Sequence, residues 1–258
     1  MTTMTESATT ALQLITSLDL GLLTIVGRSL SVSALACLIA CGVGLLLGSW
    51  LGVARFAGRG AVLTVLNTFL AVPSVVVGLV VYLLLSRSGP LGFLGWLFSF
   101  NAMVLAQTVL VLPVVTALTR QTVEDASELH GEQLQSLGAR PLMRSLLLAW
   151  DERYALLTVV LASFGRAISE VGAVMVVGGN IEGFTRVMTT AIALETSKGD
   201  LPLALGLGMV LLTVVLLLNV LMALVARWRE TRTGDHGDAW GASGKADRDT
   251  ATRLGLSS

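Results

Sequence analysis

The 258-residue chain is short of charge: Asp, Glu, Lys and Arg make up 13% of it against 54% hydrophobic residues, and the mean hydropathy is +0.80. Ordinary soluble domains of this length do not combine these values, so a water-soluble globular protein is excluded and a polytopic membrane protein is implied. Lys+Arg and Asp+Glu cancel at 17 each, leaving no positive excess to hold a nucleic acid. Only two cysteines occur, Cys37 and Cys41, one helical turn apart in an apolar segment, a placement that suits small buried residues rather than a disulfide or metal site. His130 and His236 are the only histidines, and neither HExxH nor GxSxG occurs, so metal-assisted and serine hydrolysis have no groups to work with. A phosphate-cradling GxxxxGK[ST] loop is missing, the nearest approach being Gly241-Ala-Ser-Gly-Lys245-Ala. The chain is thus expected to be no enzyme and to hold no cofactor of its own. No basic residue precedes the modest apolar patch of MTTMTESATTALQLITSLDL, so a cleaved signal peptide is not expected and the first spanning helix serves for insertion.

What the chain has is apolar runs. A bilayer core about 30 Å thick needs about 20 apolar residues per helix, and five segments qualify, roughly 27–53, 61–86, 102–119, 155–179 and 201–226. An all-α fold with about five transmembrane helices follows, with 1–24 as an extracytoplasmic segment, 25–226 as the membrane domain and 227–258 as a tail. Basic residues gather in three connections: Arg55 and Arg59; Arg120, Arg140, Arg144 and Arg153; and Arg227, Arg229 and Arg232. The positive-inside rule makes these cytoplasmic, which puts the N-terminus outside and the C-terminus inside a plasma (inner) membrane. From Thr233 onward the tail is polar and rich in Gly, Ser and Asp, and is expected to be disordered. Gly44, Gly48 and Gly52 recur every four residues, a small-residue face for close approach of another helix, within or between subunits. Pro73 and Pro113 each free a carbonyl inside an apolar segment, consistent with a broken helix beside a cavity or with a simple kink.

The longest cytoplasmic connection, 120–153, is patterned. Val123, Ala126, Leu129, Leu134 and Leu137 recur at helical spacing with acids between them, predicting a helix over 122–137. Gly138 then suits a left-handed helix end and Pro141 the first turn of a second helix, so Gly138-Ala139-Arg140-Pro141 predicts helix, sharp turn, helix. The run Glu132-Gln-Leu-Gln-Ser-Leu-Gly138-Ala139 resembles the EAA loop of importer permeases of the ATP-binding-cassette (ABC) type I class, with a Glu six residues before a Gly. It departs where Gln133 and Leu134 replace two alanines, and where Ala149-Trp150 stands in place of Leu-Pro. The resemblance covers about 27–226 and implies the five-helix, MetI-like permease core. It also implies that Glu132, Gly138, Ala139 and Arg140 couple this chain to a partner ATPase subunit, which would hold ATP and Mg.

Two full charges, Arg166 and Glu170, sit one helical turn apart in GRAISEVGAVMVVGGN, residues 165–180. Charges at mid-membrane cost about 2.5–3.5 kcal/mol each on insertion scales, so they face protein or water rather than lipid. Two readings stay open: a structural pair locking this helix to a neighbour, or an anion passage lined by Arg166 and braced by Glu170, with Ser169 and Gly172 along it. Phe164-Gly-Arg-Ala-Ile-Ser-Glu-Val-Gly-Ala173 resembles the oxyanion branch of these permeases, which carries an Arg-Ala-x-x-Glu-x-Gly-Ala core, and is most similar to tungstate permeases. That implies a homodimer, two ATPase subunits and an extracytoplasmic oxyanion-binding protein. Molybdate or sulfate is the alternative cargo. An ATP-independent secondary transporter or a membrane scaffold are the alternatives in other classes; five unequal segments show no internal repeat for the former.

Overall fold

The computed structural model describes the backbone of residues 20–136 and 138–253, with side chains for all of these except 130–132 and 228–253. Among the described residues the regular structure is entirely helical, as the composition predicts: α1 (Leu20–Val53), α2 (Arg59–Ala71), α3 (Ser74–Leu85), α4 (Phe100–Ser136), α5 (Pro141–Asp151), α6 (Arg153–Ile168), α7 (Gly172–Gly178), α8 (Met188–Lys198) and α9 (Leu201–Arg253). Three stretches are long and apolar enough to cross a bilayer alone: Leu20–Val53, Phe100–Leu129 and Leu201–Arg227. Five spans result if each of two bent pairs, α2 with α3 and α6 with α7, counts as one.

The bent pairs break the segments 61–86 and 155–179, the first at Pro73, where a broken helix is one of the two readings, and the second with no proline to announce it. At Pro73 the chain turns by 100° between α2 and α3, because proline has no N–H to offer the helix ladder and its ring clashes with the preceding turn. As a result α2 buries none of its own residues. Pro113, by contrast, lies inside an unbroken α4. Helix α1 is already under way at Leu20, ahead of the expected boundary at 25. Helix α9 continues to Arg253, where composition predicted disorder; no proline follows Pro202 to interrupt its ladder.

Close packing of small residues organises the bundle. Gly44, Gly48 and Gly52 all face α4, which settles their partner as a helix of the same chain. A Cβ at Gly44 would stand 2.8 Å from Val115 Cγ1, one at Gly48 2.6 Å from the Thr116 carbonyl oxygen, and one at Gly52 3.0 Å from the Arg120 carbonyl oxygen. Helices α3 and α7 cross just as closely: a Cβ on Gly78 would lie 2.7 Å from Ala173 Cα. Around these contacts Val32, Ala36, Val77, Val81, Met103 and Val174 form the largest buried cluster. Cys37 and Cys41 are free and buried against Val111, Val159 and Ala167, the packing role expected of them. Leu212, Leu216 and Leu217 of α9 point outward, an apolar surface suited to lipid. Near the far end of the α1–α4 pair, Arg59 donates to Glu124 at 2.7 Å, and Arg120 pairs with the same carboxylate, tying the start of α2 to α4.

The tight α1–α4 seam predicts that Gly48→Val costs about 1–3 kcal/mol through overpacking. In detergent the melting temperature should fall by roughly 3–10 °C. Gly42→Ala, with nothing within 4 Å of its added Cβ, should leave it unchanged.

Candidate functional site

The charged pair sits at the break between α6 and α7, a bend of 56°. Local chemistry explains the break. The Ser169 hydroxyl donates back to the carbonyls of Gly165 (2.9 Å) and Arg166 (3.2 Å), and the Glu170 N–H donates to the Ala167 carbonyl at 3.2 Å, tightening the last turn. Glu170 then closes the gap. Its Oε1 accepts from the Ala173 N–H in the first turn of α7 (3.2 Å), its Oε2 accepts from Arg166 Nη1 (3.0 Å), and its carbonyl accepts from the Thr189 hydroxyl of α8 (2.7 Å). A carboxylate at a helix start satisfies an N–H that has no partner within the helix and is favoured by the helix dipole.

The two charges are thus unequal. Glu170 is 4% exposed with both oxygens engaged, whereas the Arg166 side chain is 50% exposed and donates only one N–H to it. The side-chain pair bridges the break itself, and Arg166 keeps guanidinium N–H groups beyond the one given to Glu170. Gly172 serves packing: a Cβ there would meet Val75 Cγ2 at 2.6 Å. Ser169 is exposed beside Arg166, its hydroxyl spent on the backbone.

Sequence reasoning missed Gln107. This α4 amide is 3% exposed, and its Nε2 donates to the Ala167 carbonyl at 3.0 Å, pinning the end of α6 to α4. With Leu110, Val111, Arg166 and Glu170 it lines a narrow cleft at the break. A lone amide inside an apolar run is the signal that could have revealed it, since intramembrane polar groups seldom lack a partner.

At the other end of α4 lies the predicted knob. The helix stops at Ser136; Gly138 takes the left-handed conformation at φ 76°, and the Ala139 N–H donates to the Leu134 carbonyl at 3.1 Å. Arg140 is the extended cap before Pro141 opens α5. Helix, turn, helix is therefore what the chain forms, one residue short of the expected end. The side chain of Glu132 lies outside the described residues. Leu129, Leu142, Met143, Leu146 and Trp150 are exposed on the knob, an unusual concentration of apolar groups on an element that also carries Arg140 and Arg144.

No family model matches the chain. Curated proteins do. A "probable anion ABC transporter permease protein" of Haloferax volcanii is 41% identical over 221 residues, 84% of this chain and 94% of its own length. The tungstate uptake system permease protein TupB of Peptoclostridium acidaminophilum is also 41% identical, over 84% of this chain and 95% of its own. The sulfate transport system permease protein CysW of Escherichia coli is 34% identical over 77% and 72%. Similarity at this level and extent, along a helical chain with apolar spans, a knob and a charged helix break, assigns the chain to the ABC transporter permeases, in the oxyanion branch and most similar to the tungstate permeases.

Proposed function

We propose that this chain is the membrane permease of an ATP-driven, binding-protein-dependent tungstate importer. It works as a homodimer with two ATPase subunits on the cytoplasmic face and an oxyanion-binding protein outside. The observation that carries the coupling half of this reading is the continuity of α4, one helix of 37 residues that passes the charged break at Gln107 and ends in the knob. At 1.5 Å per residue such a rod is about 55 Å long, enough to carry a displacement from the membrane surface to mid-bilayer. Gln107 grips the Ala167 carbonyl near one end of that rod, and the knob with Gly138, Ala139 and Arg140 forms the other. ATP binding in the partner would draw two knobs together, α4 would shift, and the break at Ser169–Val171 would change its aperture. Release after hydrolysis would restore it.

The cargo half rests on chemistry and similarity together. Arg166 offers a half-exposed guanidinium, the group best matched to a tetrahedral oxyanion. Glu170 keeps that guanidinium partly neutralised, so the anion is attracted without being held tightly. Tungstate is favoured over sulfate by the 41% identity to a tungstate permease against 34% to a sulfate one. The membrane domain spans 25–226, with 120–153 as its cytoplasmic coupling loop, the N-terminus outside, and 227–258 extending inside.

Four outcomes are expected. Deleting this chain abolishes tungstate accumulation from low external concentrations while sulfate uptake stays normal; loss of sulfate uptake instead would reassign the cargo. Replacing Gly138 by valine, with nothing within 4 Å to clash but a backbone at φ 76° that costs a branched residue roughly 1–2 kcal/mol, uncouples the ATPase while the membrane dimer persists on native gels. Arg166→Ala lowers uptake about ten- to a hundredfold with assembly intact. Glu170→Ala, in contrast, reduces the yield of folded protein, because it strips the break of its two side-chain acceptors.

A further inference from the structure

We infer that Arg28 and Arg186 form a second anion site, a receiving station for the tetrahedral oxyanion upstream of Arg166; the choice of ligand rests on the importer reading above. The two arginines line a recess of about 300 Å³ between the start of α1 and the loop before α8, at the end of the molecule assigned to the outside. Neither guanidinium is fully used. Arg28 donates one N–H to the Gly183 carbonyl at 2.8 Å, and its Nη1 has no partner among the described residues. The Arg186 side chain is 12% exposed; its Nη1 stands 3.6 Å from Glu182 and 3.8 Å from Glu195, and its Nε is likewise without a partner among the described residues. Glu195 has a closer cation in Lys198, at 3.0 Å, and Glu182 is 83% exposed on the rim. The recess therefore holds two guanidinium groups whose charge is incompletely matched, and buried N–H donors left without acceptors are costly. A dianion with four oxygens is the ligand chemistry that would satisfy both at once, each planar fork taking oxygens of its own.

The recess is joined to the break by a short series of hydrogen bonds. Ser29, next to Arg28, accepts from the Met188 N–H at 2.6 Å. Thr189, the next residue, donates to the Glu170 carbonyl at 2.7 Å. An anion drawing Arg28 and Arg186 together would thus act on the segment that fixes Glu170, and through it on Arg166. The site fits a handover step: it attracts the oxyanion where a binding protein would release it and stands one relay from the passage.

The test uses the whole transporter, permease with its ATPase, in lipid nanodiscs without binding protein. Orthotungstate bound after equilibrium dialysis is measured by mass spectrometry for wild type, Arg28→Gln and Arg186→Lys. The expected result is direct binding that weakens about tenfold in Arg28→Gln, less in Arg186→Lys, which keeps the charge that faces Glu195, and falls with added sulfate. Unaltered tungstate binding in Arg28→Gln overturns the site. So does a loss confined to docking of the binding protein, read by fluorescence anisotropy, because the arginines would then be meeting carboxylates of that protein. Wild-type ATP-dependent uptake in proteoliposomes supplied with the binding protein is followed in parallel: if it fails, the importer reading falls, whereas if it stands and the variants bind normally, only the receiving site falls.

Discussion

The bonding of one carboxylate governs the architecture of the membrane core. A helix broken inside a bilayer exposes N–H and C=O groups for which lipid offers nothing, so a break persists only where protein groups satisfy them. Glu170 does this at three points, through Ala173, Arg166 and the Thr189 hydroxyl, and Gln107 adds a fourth bond at the neighbouring Ala167 carbonyl. The charge of Arg166 is tolerable in that setting because Glu170 is already there, and Glu170 is itself held from α8.

Around this break the remaining helices are made stiff by leaving side chains out. Gly44, Gly48 and Gly52 let α1 lie directly on α4, and Gly78 and Gly172 do the same for α3 and α7. Contact this close has few flexible side chains to absorb a displacement of one helix against the other. The helical ladder is interrupted within the membrane segments at Pro73 and at Ser169–Val171, and in the knob at Gly138.

Much of this was legible in the sequence because its signals are local. Apolar run length gave the spans, the Gly138-to-Pro141 grammar gave the knob, and the Arg166–Glu170 spacing gave a pair on one face. Longer-range facts were not legible. Pro73 marks either a kink or a broken helix, and the proline alone does not fix the 100° angle. The partner of the glycine stripe, the role of Gln107 and the meeting of Arg28 with Arg186 all join residues more than 50 positions apart.

The local character of the Arg166–Glu170 pair bears on how the protein is made. Because the partners are four positions apart, they can meet as soon as their own turn of helix forms, before any other segment is in place. The segment can then leave the translocon as a zwitterion rather than as two naked ions, each of which would carry an insertion penalty of about 2.5–3.5 kcal/mol. Insertion therefore draws on a contact that the folded protein keeps: the neutralised pair that eases delivery into lipid holds the helix break once the neighbouring helices assemble.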